Sequence, residues 1–283
     1  MTRGLLDAAA EATACAEQAA LQANVDIREL DDLSELAAII ELYEEIWRPT
    51  AAPPVSTELL RALSKAGNYV AAAYDGPKLV GACVGFFAAP VDNALHSHIA
   101  GASALVTGRH VGYALKLHQR AWALTHGVHV IEWTFDPLVA RNAYFNIAKL
   151  GGRPAEYLPN FYGGMDDGIN GGDDSDRLLV RWDLVSREVV DACAGVPQSV
   201  DTAPVPGAAF ALGRGARGGP VAGTAGEGVV LVAVPNDVEK LRISDPRQAK
   251  EWRAAVREVL GGLLADGARV TGFDRGGWYV VQR

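Results

Sequence analysis

The chain has 283 residues, 49% of them hydrophobic, and a formal net charge of −8. Its length and apolar content suit one large or two smaller folded domains, no apolar run reaches membrane-spanning length, and the acidic balance without a basic cluster argues against a nucleic-acid surface. Three widely spaced cysteines, Cys15, Cys83 and Cys193, form neither a zinc pattern nor a disulfide framework, and no signal-peptide pattern opens the chain, so a reducing cytoplasmic setting is expected.

Residues 4–22 are Ala-rich and read as a helical extension occupying 1–24, either fraying or making an oligomer contact. Val25–Leu30 alternates apolar and polar residues, which predicts a strand. Asp31 or Asp32 can cap the next helix, whose apolar stripe is Leu36, Ile39, Ile40, Tyr43 and Ile46/Trp47. After the prolines at 49, 53 and 54, a second helix is expected from Ser56. Asn68–Tyr74 and Lys78–Phe87 predict a hairpin around Asp75-Gly76-Pro77, and Leu95–Leu105 a third strand. A helix over 111–126, a strand over Val128–Phe135 and a helix over Arg141–Leu150 follow, the last stopped by Gly151-Gly152. Tyr157 and Leu178–Leu184 lie on or near two more strands, separated by a Gly- and Asp-rich loop over 163–176. The Gly- and Pro-rich stretch 186–228 shows no periodicity and reads as a linker or covering loop. Residues 229–283 predict a small accessory module. Its parts are a strand at Val229–Val234, a helix opened by Asp245-Pro246, and a hairpin around Asp274–Gly277.

Thr107-Gly-Arg-His-Val-Gly-Tyr-Ala-Leu-Lys116 is a Gly-bearing turn running into a helix. A helix N-terminus offers free N–H groups and partial positive charge, which suits phosphate. Gly108 and Gly112 leave room beside the backbone, and Arg109 can add a charge-assisted bond; an ordinary connecting turn is the alternative. On the strand 128–136, Glu132 and Asp136 occupy alternate positions and are candidate bases. Asp136, preceding Pro137, could equally cap the next helix. His96 and His98 share a face of the third antiparallel strand and could relay a proton; with no third ligand evident, a metal-free site is expected.

The order of elements resembles the GNAT acyltransferase superfamily, and the 107–116 loop falls where that family binds the pyrophosphate of coenzyme A. The stretches Glu132-Trp-Thr-Phe-Asp-Pro-Leu138, Arg141-Asn-Ala-Tyr-Phe-Asn-Ile-Ala-Lys-Leu-Gly151, Tyr157-Leu-Pro-Asn-Phe-Tyr-Gly163 and Ser175-Asp-Arg-Leu178 resemble a little-characterised branch of predicted GNAT acetyltransferases. The resemblance covers roughly residues 25–185. It implies an α/β fold with a mixed, mostly antiparallel central sheet flanked by helices. It also implies acyl transfer from acetyl-CoA, or another acyl-CoA, to the amine of a small metabolite such as an amino acid. Backbone groups around Ala100–Ala104, including Ala102 and Ala104, would then hold the pantetheine arm. The pyrophosphate would sit on Thr107, Gly108, Arg109, His110, Val111 and Gly112, and Asn142 on the cofactor arm.

Thr107 stands where the family has Arg or Gln, and His110 where it has its first Gly; only Gly112 matches. The family's usual tyrosine acid has no counterpart at the expected spacing from Gly151 or Gly152. Tyr144 lies about one turn earlier and either faces the cleft or packs on the sheet. Tyr157, Asn160, Tyr162 and Asp166/Asp167 could line an acceptor pocket or belong to surface loop. A homodimer through the C-terminal helix is compatible with the pattern. The competing reading is a non-catalytic module of the same fold that binds a ligand or protein with a degenerate loop.

Overall fold

The computed structural model describes residues 3–49, 53–163, 173–198, 200, 209–224 and 226–283. The chain divides into two compact units, Met1–Trp133 with Asp183–Val185, and Thr134–Trp182 with Ser186–Arg283. This division cuts the predicted 25–185 domain inside a strand and groups its last third with the C-terminal segment. Asp166 and Asp167 lie outside the described residues.

In the first unit the elements are α1 (Arg3–Ala23), β1 (Asp26–Glu29), α2 (Leu33–Trp47), α3 (Thr57–Lys65), β2 (Tyr69–Asp75), β3 (Lys78–Phe87), β4 (Ala94–Ala102), a 3-10 turn (Ala104–Val106), α4 (Val111–Thr125) and the first residues of β5 (Val130–Phe135). Local chemistry starts α2 and α3 where the sequence predicts them. The Asp32 carboxylate accepts from the N–H groups of Ser34 and Glu35, and the Ser56 hydroxyl accepts from Leu59 N–H. β2 and β3 close as a hairpin on Asp75↔Lys78, with Gly76 at φ 58°. The strands lie in the order β1-β2-β3-β4-β5; all pairs are antiparallel except β4–β5.

Alternation along these strands sends residues to two faces. Val70, Ala72, Ala82 and Val84 pack with Leu36, Ile39, Leu42 and Tyr43 of α2 and with Leu60 of α3. The opposite face receives α4: a Cβ at Gly81 would meet Val111 and Leu115, and one at Gly85 would meet the Gln119 amide. α1 packs against α4 and does not fray there. Its buried residues Ala9, Ala12, Ala16, Ala19 and Ala23 recur every three or four positions, a stripe narrow enough for close helix approach. Consequently α4 is covered on both sides. Residues 183–185 rejoin this unit, Leu184 N–H donating to His129 O and Leu184 O accepting from the buried Arg120 guanidinium.

The second unit holds α5 (Ala140–Ala143), which runs on as a π-helical turn over Tyr144–Lys149, then the antiparallel pair β6 (Arg153–Leu158) and β7 (Arg177–Asp183). The stretch 186–228, read as linker, contains α6 (Arg187–Cys193), β8 (Ala209–Arg214) and β9 (Pro220–Ala222). With β10 (Val229–Ala233), β11 (Arg269–Phe273) and β12 (Trp278–Gln282), β8 and β9 form a five-stranded sheet ordered β11-β12-β10-β8-β9. A short helix, α7 (Val238–Ser244), precedes α8 (Pro246–Val256), which starts on an Asp245 cap with Pro246 in its first turn. Trp252, Val256 and Leu260 are buried, as the periodicity of this segment predicts. Among the described residues no helix is long and apolar enough to cross a membrane.

Gly101 of β4 marks the tightest contact with α2: a Cβ there would lie 2.6 Å from Trp47 Cη2 and 2.9 Å from Ile46 Cδ1. Gly101→Ala should therefore destabilise the first unit by about 1–3 kcal/mol, measured by urea denaturation; an unchanged midpoint would show that Trp47 yields freely.

Candidate functional site

β4 pairs with β3 along its whole length but with β5 over only three residue pairs, Ala94↔Val130, Leu95↔Ile131 and His96↔Glu132. From Ser97 to Ala102 its β5-side edge is used by no strand among the described residues. The register against β3 slips here, Gly85 facing Ser97 and Val84 facing Ile99, so His98 is the extra residue of a bulge. A bulge turns a strand out of register with its neighbours, and this one sits where β4 and β5 part.

At the far end of that free edge lies the loop. Ser103 N–H donates to Val80 O, and the Ser103 hydroxyl donates to Glu45 and accepts from Leu105 N–H. Two left-handed residues follow, Gly108 at φ 84° and His110 at φ 63°. The second is the conformation a glycine would adopt without strain, which is the physical content of the missing family glycine. The N–H groups of Gly108, His110, Val111 and Gly112 donate to no acceptor among the described residues, and the Cβ positions of both glycines face open space. Thr107 spends its hydroxyl on Ala104 O at 2.7 Å. Arg109 does not extend toward this N–H cluster: its guanidinium pairs with Asp75 at 2.5 Å and donates to the carbonyls of Ala23 and Asn24. Its place is that of a tether between the loop and the end of α1. Ala102 and Ala104 contribute backbone only, as the end of β4 and the start of the 3-10 turn.

Where β4 and β5 part, the two sheet faces carry different chemistry. On the α2 face, His96 and His98 both lie against Phe86, with ring centroids 5.0 and 5.7 Å away, and half-buried Glu132 is the register partner of His96. Burial lowers both imidazole pKa values, which favours the neutral rings. On the α4 face, Lys116 Nζ donates to Ser97 Oγ and to Gln119 Oε1, both at 3.0 Å, and lies 3.8 Å from the centre of the Trp133 ring. Cys83 Sγ approaches Ser97 Oγ at 3.9 Å, and burial raises its thiol pKa. Lys116 is 4% exposed, and its desolvation pulls the ammonium down to about 8. The sequence did not single these residues out: Lys116, Gln119 and Arg120 are polar at i, i+3 and i+4, which reads as a helix's solvent face, yet all three are buried.

The second unit corrects one candidate base. Asp136 is buried; its carboxylate accepts from Leu138 N–H, from Arg242 at 2.6 Å and from two nitrogens of Arg253 at 2.8 Å each. Although burial opposes ionisation, the two guanidinium groups hold its carboxyl well below the usual carboxylate range. A carboxylate so committed cannot take a proton near neutrality, so Asp136 is a cap and an ion-pair partner. Asp173 shares both arginines. Tyr144 is half-buried, and its hydroxyl accepts from Arg275 Nε at 3.1 Å. Asn142 is exposed on α5. Tyr157 is buried with its hydroxyl on Asp176, Asn160 accepts from Ser175 N–H, and Tyr162 meets Thr134, so all three brace loops of this unit. Among the described residues no group of three or more His, Cys, Asp or Glu is placed to hold a metal ion.

No family model matches the chain, and no curated protein matches it. Among solved structures it is similar to an N-acetyltransferase from Staphylococcus aureus, at 15% identity and a TM-score of 0.46, over 57% of this chain and 99% of that one. It is also similar to a ribosomal-protein-alanine N-acetyltransferase from Brucella melitensis, at 18% identity and a TM-score of 0.46, over 55% of this chain and 98% of the other.

Two stability measurements follow from these charges. In Asp136→Asn one negative partner of two buried arginines is lost, with an expected cost of about 3–5 kcal/mol at pH 7 by chemical denaturation. The wild-type contribution of Asp136 is present above its ordinary unfolded value and fades only as pH falls below about 4. Lys116 has the opposite sign. Its folded value, about 8, lies below the unfolded 10.5, so between these the unfolded chain binds more protons. Stability should rise with pH across that window by up to about 3 kcal/mol, and Lys116→Met should lack this rise.

Proposed function

We propose that this protein is a CoA-dependent N-acyltransferase of the GNAT type, transferring an acyl group from an acyl-CoA to the amine of a small metabolite, with an amino acid as one candidate acceptor. The observation that carries the reading is the run of four free N–H groups at residues 108 and 110–112, set at the end of the free edge of β4. Such a run at the start of a fifteen-residue helix suits a pyrophosphate, and an unpaired strand edge suits an extended amide-bearing arm. The observed order of elements between residues 26 and 183 is the one predicted from the sequence and supports the same reading.

Acyl transfer requires an amine to lose a proton and a thiolate to leave. Glu132, the register partner of His96, is the group we propose receives the proton, directly or through water. The sequence's candidate acid, Tyr144, belongs to the second unit, where Arg275 hydrogen-bonds its hydroxyl. The competing reading is a module of the same fold that turns nothing over. His110 in a left-handed conformation and Arg109 turned to Asp75 favour it, since both weaken the loop as a phosphate cradle.

Calorimetric titration with free CoA and acetyl-CoA tests the proposal. Micromolar binding is expected, with equal or tighter binding in His110→Gly, where the backbone strain and the Cβ are both removed. An absence of binding in both proteins at millimolar ligand would leave the non-catalytic reading. A loss of binding in His110→Gly alone would assign the imidazole a contact of its own.

A further inference from the structure

Arg109 stands between the two left-handed residues of the loop, Gly108 and His110, with a free N–H group on either side of it. Its guanidinium is engaged elsewhere. Nε and Nη2 donate to Ala23 O at 3.2 and 3.0 Å, Nη2 also donates to Asn24 O at 2.8 Å, and Nη1 pairs with Asp75 at 2.5 Å. Each of these acceptors sits at the end of an ordered element. Ala23 is the last residue of α1, Asn24 follows it in a left-handed conformation at φ 51°, and Asp75 ends β2 where the hairpin turns. The last carbonyls of a helix have no partner within it and carry the negative end of its dipole. α1 has no basic residue in its own last turn, so Arg109 supplies that cation from the loop.

A loop with two left-handed residues needs something to hold it. Gly108 has no Cβ to favour one conformation over another, and at His110 the left-handed form is costly. A planar guanidinium held on three oxygens fixes the backbone between them. An anion bound by backbone N–H groups gains affinity when those groups are already aimed, because little ordering is then left to be done on binding. We propose that Arg109 is a positioning residue of the cofactor loop, and that Asp75 and the C-terminal end of α1 belong to the acyl-CoA site as its supports. What the loop loses in charge, with Arg109 turned away, it regains in order. This role rests on the acyltransferase reading for the ligand, and on residues of the first unit alone for its geometry.

At Asp75, charge and order predict opposite signs. Asp75→Asn removes a negative charge near the loop and releases Arg109 to turn toward a phosphate. Were Arg109 to serve the ligand by its charge, this variant would bind CoA more tightly. As a support it should instead bind free CoA at least about threefold more weakly than the wild type, in calorimetric titration of the full chain at pH 7. Asp75→Glu keeps the carboxylate and should restore binding to within about twofold. Arg109→Lys keeps the positive charge, but a lone ammonium cannot span Asp75 and both carbonyls, so the same threefold loss, about that of Asp75→Asn, is expected. Should Asp75→Asn not fold by circular dichroism, Arg109→Lys decides. Equal or tighter binding of CoA by folded Asp75→Asn would overturn the supporting role and leave the acyltransferase reading intact. So would a loss in Asp75→Glu as large as that in Asp75→Asn. No binding of CoA by the wild type would overturn both together.

Discussion

The short pairing of β4 with β5 is the constraint on which the rest of the first unit depends. Among the described residues β4 is paired along its length by β3 but by β5 only as far as His96, so from Ser97 on one edge is used by no strand. Such edges are usually covered or blunted. Here the bulge at His98 turns the strand where the pairing stops, and a loop with two left-handed residues follows it into α4. The gap, the free edge and the exposed N–H groups are one continuous consequence of that divergence. Trp47 of α2, closed over Gly101, holds the outer end of the edge in place from the other face.

Charge is buried in two different ways in this chain. In the second unit, Asp136 and Asp173 share Arg242 and Arg253, so each desolvated charge has an opposite charge within hydrogen-bond reach. Such a network is strongly interdependent: remove one member and the others are left uncompensated in low dielectric. It suits a structural role, and it withdraws Asp136 from proton transfer. In the first unit, Lys116 is bonded to the neutral Ser97 and Gln119 and faced by an indole. Desolvation there pulls the ammonium pKa down to about 8.

The secondary structure of residues 26–183 was legible because its signals are local. Asp32, Ser56 and Asp245 cap helices through atoms a few residues away, and the two-residue turn Gly76-Pro77 fixes the β2–β3 register. The stretch 186–228 was not legible. β8 is a short strand with little alternation, and it becomes a strand because β10 lies beside it in parallel. Its β propensity is supplied by the neighbour. The loop was visible as a Gly-bearing turn before a helix, but not the direction of Arg109, which depends on Asp75 and on the end of α1, both distant in sequence. Asp136 shows the same limit. Its capping of Leu138 was an open alternative from sequence, whereas its two arginines lie more than a hundred residues later.

By itself, then, the sequence determined which segments of residues 26–183 become helix or strand, where α2, α3 and α8 begin, and that a phosphate-suited turn precedes α4. These rest on periodicity, caps and turns, interactions that span a handful of residues. Only tertiary structure decided what α4 buries. Its polar residues Lys116, Gln119 and Arg120 look like the solvent side of an amphipathic helix until α1 covers one flank with its alanine stripe and the sheet covers the other. Burial is a property of what packs around a residue, not of its neighbours in the chain, and it is burial that sets these three polar side chains apart from ordinary surface ones.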